Sequence, residues 1–266
     1  MEYIMANILW IVNIHEKNNF YKRIMRIFNS FDFSADSSYE KIVQMNLYKN
    51  NIEIASGGIV EKYENILESD IYPILYAAIY KMTIAGDMAF VHSTVVCKDT
   101  EGILILGDFH SGKTTLALEF EKNDWIIASY DQTLIKINDG QVLLYKGSSY
   151  QSTSGYTGFI QKSEFKKIPI NKVIIIHGVN EQGKVSIKQV TDFNNIYRGT
   201  WRSFLWPWIT PLTNKMSIVE MDSNYIEKLY KFFEGFNKIK FYSVRGSVQE
   251  IALFFDREIK CRDMLY

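Results

Sequence analysis

The residues Gly107-Asp108-Phe109-His110-Ser111-Gly112-Lys113-Thr114 follow the spacing G-x-x-x-x-G-K-[ST]. Each fixed position suits the binding of a polyphosphate. Glycines let backbone N–H groups curl around an anion with no Cβ atom in the way. A helix opening at the lysine adds unpaired N–H donors and the positive end of its dipole. Lys113 can reach the outer phosphates, and the Thr114 hydroxyl can sit on Mg²⁺. Asp108, Ser111 and Thr115 complete the candidate nucleotide-binding set. His110 stands inside the loop and can touch a phosphate, although variable loop positions usually face solvent. Chance matches to this pattern arise in roughly one chain in a hundred of this length. The context narrows that further, because the apolar run ending at Ile105-Leu106 precedes the loop and Thr115-Leu116-Ala117-Leu118 follows it. The alternative is a glycine-rich strand-to-helix turn that holds nothing.

Two more residues can work beside such a loop. His92 lies in Phe90-Val91-His92-Ser93, and Asp131 ends Ser129-Tyr130-Asp131. If their strands flank the loop strand, both side chains reach its C-terminal end, where open α/β sheets bind ligands. A carboxylate there can hold Mg²⁺ through water or take the proton of an attacking hydroxyl. Taken singly, a histidine in an apolar strand is more often a satisfied core residue. An aspartate after a strand is more often a turn former.

His92 stands 21 residues before Lys113, and Asp131 stands 18 after it. With the strand-loop-helix segment 102–120, these offsets resemble the HPr kinase/phosphorylase family, which is related to phosphoenolpyruvate carboxykinase-type ATP-binding proteins. The likeness covers roughly residues 70–260 and is specific only over 90–137. It is nearest to the short kinases encoded beside ribosomal-peptide natural products such as lasso peptides. The resemblance implies an α/β fold: a P-loop mixed sheet with flanking helices, built like the C-terminal domain of HPr kinase, over residues 87–266. A small α+β N-terminal domain over 1–86 would recognise substrate. It also implies ATP or GTP with Mg²⁺, and transfer of the γ-phosphoryl group to a serine or threonine of a peptide or small protein. Lys113, His92 and Asp131 would be catalytic, and Thr114 with Asp131 would face the metal. Relatives form homo-oligomers, but no residue here marks an interface.

The sequence departs from the family at Tyr130, where the family has the first of two adjacent aspartates. The Arg-Gly-rich segment used for phosphate removal has no counterpart, so phosphorylase activity is not expected. Two other readings stay open. One is a small-molecule kinase of the same fold. The other is a nucleotide-binding regulatory or maturation protein that transfers nothing. Arg245, in Val244-Arg245-Gly246-Ser247, can stabilise transferred charge or form a surface ion pair. Arg198 and Arg202, around Gly199, are weaker candidates for the same work. The aromatic cluster Trp201, Phe204, Trp206 and Trp208 reads as a packed helix and turn, with a peptide groove as the alternative.

The elements must place these residues. Strands are expected over 4–14, 41–48, 52–56, 89–96, 103–106, 125–128, 134–137, 142–145, 173–176, 184–187 and 240–244. Helices are expected over 18–29, 70–84, 113–122, 190–198, 201–206, 223–236 and 247–258. Asp70 can cap the second of these. Segment 147–158, rich in Gly, Ser and Thr, reads as a loop.

Composition sets outer bounds. The chain has 266 residues, 47% apolar, and its formal charge is zero. No global positive field draws it to nucleic acid or to an anionic membrane. The cluster Lys162, Lys166, Lys167 and Lys172 reads as a solvated rim. Cys97 and Cys261 lie too far apart for a metal motif, and Cys97 reads as a small core residue. The N-terminus lacks the basic start of a secretory signal, and no apolar run is long enough to cross a bilayer. A cytoplasmic location is the expectation.

Overall fold

The computed structural model describes residues 2–5, 8–15, 28, 39–85, 88–148, 150–153, 156–159, 167–179, 184–209 and 223–263. The helix expected over 18–29 lies outside them, apart from Phe28. So do Lys162 and Lys166, and the side chains of Trp206 and Trp208. Contacts divide the chain into two compact units, Met1–Met88 with Leu205–Leu229, and Ala89–Phe204 with Tyr230–Tyr266.

The first unit is built on a five-stranded sheet: β1 (Glu2–Met5), β2 (Ile8–Ile14), β3 (Lys41–Leu47), β4 (Ile52–Ser56) and β5 (Ile59–Tyr63), in chain order. All neighbours are antiparallel except β2 and β3. Alternation sets its inner face, since Val43, Met45 and Leu47 are buried while Ile42 and Gln44 are exposed. β5 was not expected. Its Ile59 and Val60 are both exposed, so its pattern lacks the buried alternation that marks a strand. Helix α1 (Ile71–Ala85) follows a short 3₁₀ turn, Glu68–Asp70. Asp70 acts one turn earlier than a helix cap, because its carboxylate accepts the Leu67 N–H at 2.9 Å.

The second unit carries the loop. The expected strand 89–96 is two strands, β6 (Met88–His92) and β7 (Thr94–Lys98), broken at buried Ser93. Next come β8 (Glu101–Gly107), helix α2 (Lys113–Glu121), β9 (Ile126–Ser129), and the pair β10 (Gln132–Asn138) and β11 (Gln141–Gly147). The segment read as a loop forms a hairpin instead, β12 (Tyr150–Thr153) with β13 (Tyr156–Phe159), in which Tyr150 faces Phe159 and Thr153 faces Tyr156. Aromatic and Thr residues there favour strand pairing over the loop bias of Gly and Ser. β14 (Ile168–Val179) and β15 (Ser186–Val190) precede helix α3 (Phe193–Ile209). Helix α4 (Ser223–Glu234), β16 (Lys240–Gly246) and helix α5 (Val248–Asp263) end the described chain.

β14 organises this sheet. Its start pairs antiparallel with β11, and the remainder runs parallel between β8 and β16. Helices cover both faces, so Val173-Ile174-Ile175-Ile176 is a continuous buried run rather than an alternating one. On one face Ile103, Ile105, Ile174 and Ile176 pack with Leu116 and Phe120 of α2 and Phe255 of α5. Burying Phe120 contributes roughly 1.5–3 kcal/mol. On the other face α3 runs through Gly199 unbroken, where two helices were expected. A Cβ on Gly199 would lie 2.5 Å from Ile175 Cδ1, so the missing side chain is what lets the helix approach the strand. Trp201 stacks on Phe233 of α4 at a centroid distance of 5.7 Å, and Phe204 meets the same ring tilted at 5.0 Å.

Two readings of charge and core differ in outcome. Cys97 is buried, and burial pushes its thiol up to about 11. Lys172 is not on a solvated rim. It is 1% exposed and meets Glu101 at 3.0 Å, which offsets the cost of burying the ammonium.

Candidate functional site

The loop leaves β8 at the end of the parallel strands and opens α2. Its glycines are required by contact. A Cβ on Gly107 would sit 2.5 Å from Ser111 Oγ and 2.7 Å from the Ile176 carbonyl oxygen. Gly112, at φ 100°, has Val179 Cγ1 2.5 Å from its Cβ position. The tail of β14, His177-Gly178-Val179, therefore backs the loop. No local pattern signals this, because only strand order brings the two together.

Lys113 is 7% exposed, and its ammonium faces three acceptors. They are the carbonyl oxygens of Gly107 and Asp108, each at 2.9 Å, and His92 Nε2 at 3.0 Å. Three ammonium protons match three acceptors. Burial lowers Lys113 to about 8, against the opposing pull of Asp131 and Asp108. His92 is also buried. Desolvation first, and the Lys113 charge second, hold it down to about 3. The imidazole is thus neutral and accepts through Nε2, which leaves the proton on Nδ1. Nδ1 lies 3.4 Å from Asp131 Oδ1. Phe109 covers the ring at a centroid distance of 4.6 Å.

Asp131 reaches this place by a route the sequence did not indicate. Its strand β9 does not flank β8; β7 lies between them. Asp131 instead sits at φ 58° in a three-residue turn closed by the Gln132 N–H on the Tyr130 carbonyl at 2.5 Å. The Ser93 N–H holds the Asp131 carbonyl at 3.1 Å, so the break between β6 and β7 and this turn are tied together. Below them Thr133 Oγ1 donates to Ser129 Oγ at 2.9 Å, and Ser129 Oγ donates to the Gln132 carbonyl at 2.6 Å. Aspartate tolerates this left-handed backbone better than most residues. The side chain is half exposed, open to a ligand. Tyr130 supplies no second acid. It is 6% exposed, and burial, with Glu121 adding, pushes it up to about 12.

Asp108, Ser111 and Gly107 also wall a cavity of about 650 Å³. Its far side comes from β14 and from α3, through His177, Arg198 and Arg202. The Arg202 guanidinium donates to Asp108 Oδ2 at 2.8 Å. Arg198 and Arg202, the weaker candidates by sequence, are therefore the arginines at the loop. Arg245 is exposed on β16, faces Ser186 in the strand register, and does not line the cavity. His110 and Thr115 are exposed on the loop and helix, and Thr114 is partly buried.

The residues fit a polyphosphate. Ser111 Oγ is buried without a hydrogen-bond partner among the described residues, and its backbone N–H bonds to the Asp108 carbonyl across the loop. The cradle excludes Cβ atoms at Gly107 and Gly112. No protein cluster able to hold a metal alone occurs among the described residues. No described helix is long and apolar enough to cross a membrane.

No protein-family model and no curated protein matches the chain. Among solved structures, the HPr(Ser) kinase/phosphatase from Coxiella burnetii matches 66% of this chain and 96% of its own, with 11% identity and a TM-score of 0.36. At that level of superposition no residue role passes from one protein to the other.

Proposed function

We propose that the chain binds a nucleoside triphosphate with Mg²⁺ and transfers its γ-phosphoryl group to a hydroxyl. The observation that carries this reading is the meeting of Lys113, His92 and Asp131 at the open end of a phosphate loop. In that role Lys113 offsets charge on the outer phosphates, and the N–H groups of residues 107–114 hold the anion. Mg²⁺, held by Thr114 and through water by Asp131, would neutralise further phosphate charge. The acceptor oxygen attacks the γ-phosphorus, the bond to the β-phosphate oxygen breaks, and Asp131 takes the hydroxyl proton. His92 is a positioning residue, because one ring nitrogen accepts from Lys113 and the other faces Asp131.

The favoured acceptor is a serine or threonine of a peptide or small protein, on the strength of the sequence resemblance. The cavity beside the loop favours a second reading, a small-molecule acceptor, since its volume suits a compact ligand. The buried, neutral Tyr130 supports a third, binding without transfer. Incubation with Mg-ATP and serine- or threonine-containing peptides should add one phosphoryl mass to a peptide, and Lys113→Ala should abolish it. Mg-ATP binding with no phosphoryl gain in any peptide would remove the favoured acceptor. ATP turnover that needs a small hydroxyl compound would establish the second reading.

A further inference from the structure

We infer that Arg202 is the group that distinguishes a nucleoside triphosphate from a diphosphate, by leaving Asp108 for the terminal phosphate. The inference rests on the nucleotide-binding reading above and names the residue that reads the ligand's outer end.

In a loop of this spacing the lysine serves the outer phosphates. Here the Lys113 ammonium rests on the carbonyls of Gly107 and Asp108, so the outer-phosphate end of the loop lies at those two residues. Arg202 reaches that same end, 2.8 Å from the Asp108 carboxylate. The guanidinium therefore needs only a local swing to meet a phosphate lying on Lys113.

The Arg202–Asp108 pair is 70% and 63% exposed, and water and salt screen a pair of that kind strongly. A terminal phosphate carries more charge than a carboxylate and accepts a two-pronged guanidinium contact. Exchange of Asp108 for phosphate is downhill, whereas a diphosphate leaves Arg202 where it is. Arg202 projects from α3, whose seat on the sheet is fixed by the contact of Gly199 with Ile175. Arg198, one turn earlier on the same helix, lines the same cavity, and among the described residues only Arg202 of the two bonds to Asp108.

The test is titration calorimetry of the full chain with Mg-ATP and with Mg-ADP. Wild type should bind Mg-ATP more tightly. Arg202→Ala should weaken Mg-ATP by roughly tenfold to a hundredfold, the range for a lost charge-assisted contact, and leave Mg-ADP unchanged. Arg202→Lys should recover only part of the loss, because an ammonium lacks the planar fork. Asp108→Asn should strengthen Mg-ATP binding in the wild-type background and not in the Arg202→Ala background. Retained Mg-ADP binding reports that the Arg202 variants are folded, and an unchanged thermal melt reports it for Asp108→Asn. Equal weakening of both nucleotides by Arg202→Ala, or no weakening of Mg-ATP, overturns the inference while leaving the loop as the nucleotide site. Absence of binding of either nucleotide to wild type overturns both readings.

Discussion

Asp131 joins backbone strain to chemistry in one residue. Its left-handed φ of 58° is tolerated by Asp and Asn and costs other side chains about 1 kcal/mol. Asp131→Asn should therefore keep the melting temperature and remove the proton acceptor, while Asp131→Ala should lose turnover and about 1 kcal/mol of stability as well. Phosphoryl transfer and thermal unfolding, measured on both variants, check this; full turnover in Asp131→Asn would exclude the base role. His92 gives a pH signature. Its folded value is about 3 against 6.5 when unfolded, so between those values the unfolded chain binds more protons. Stability should then fall as pH drops from about 6.5 toward about 3, by a few kcal/mol over the whole window. His92→Gln should flatten that slope in urea-unfolding curves taken across the window. Lys113 acts in the alkaline range in the same sense, since its folded value is about 8 against 10.5. The unfolded chain again holds more protons, and this contribution to stability rises with pH through that window.

Elements bring these residues together across long stretches of chain, and that decides what could be read beforehand. The loop was legible because its chemistry is local: two glycines, a lysine and a hydroxyl at fixed offsets, between an apolar strand and a helix. The central parallel strand was legible from Val173-Ile174-Ile175-Ile176, a run that only a doubly covered sheet buries. The backing of the loop by Val179 and the pairing of Asp108 with Arg202, 94 residues apart, were not legible, since neither leaves a pattern in nearby residues. Gly199 misled for a physical reason. Glycine usually weakens a helix, yet here it permits close packing on Ile175. Gly199→Val should cost about 1–3 kcal/mol by forcing α3 off the sheet. It should also weaken triphosphate binding by moving Arg202, whereas an exposed-face control at Asn194 should do neither. Thermal melts with calorimetry on the two variants test this.

At the scale of the molecule, every described residue of the candidate site belongs to one compact unit, Ala89–Phe204 with Tyr230–Tyr266. The other unit holds the five-stranded sheet, α1 and the segment Leu205–Leu229, and the substrate-recognition role for residues 1–86 is a proposal from resemblance. A formal charge of zero leaves attraction of a polyphosphate to local groups, and at the loop Lys113 is the enclosed cation, whereas Arg202 is exposed. Because Lys113 loses its proton near pH 8 in the free protein, affinity for the triphosphate should decline as pH rises above that value. The most direct test of the central claim is calorimetric titration of Mg-ATP into wild type and Lys113→Ala at neutral pH. The site described here predicts saturable binding at one site per chain in wild type, with at least a roughly hundredfold loss in the variant. Undetectable binding in wild type, or equal binding in both, would contradict it.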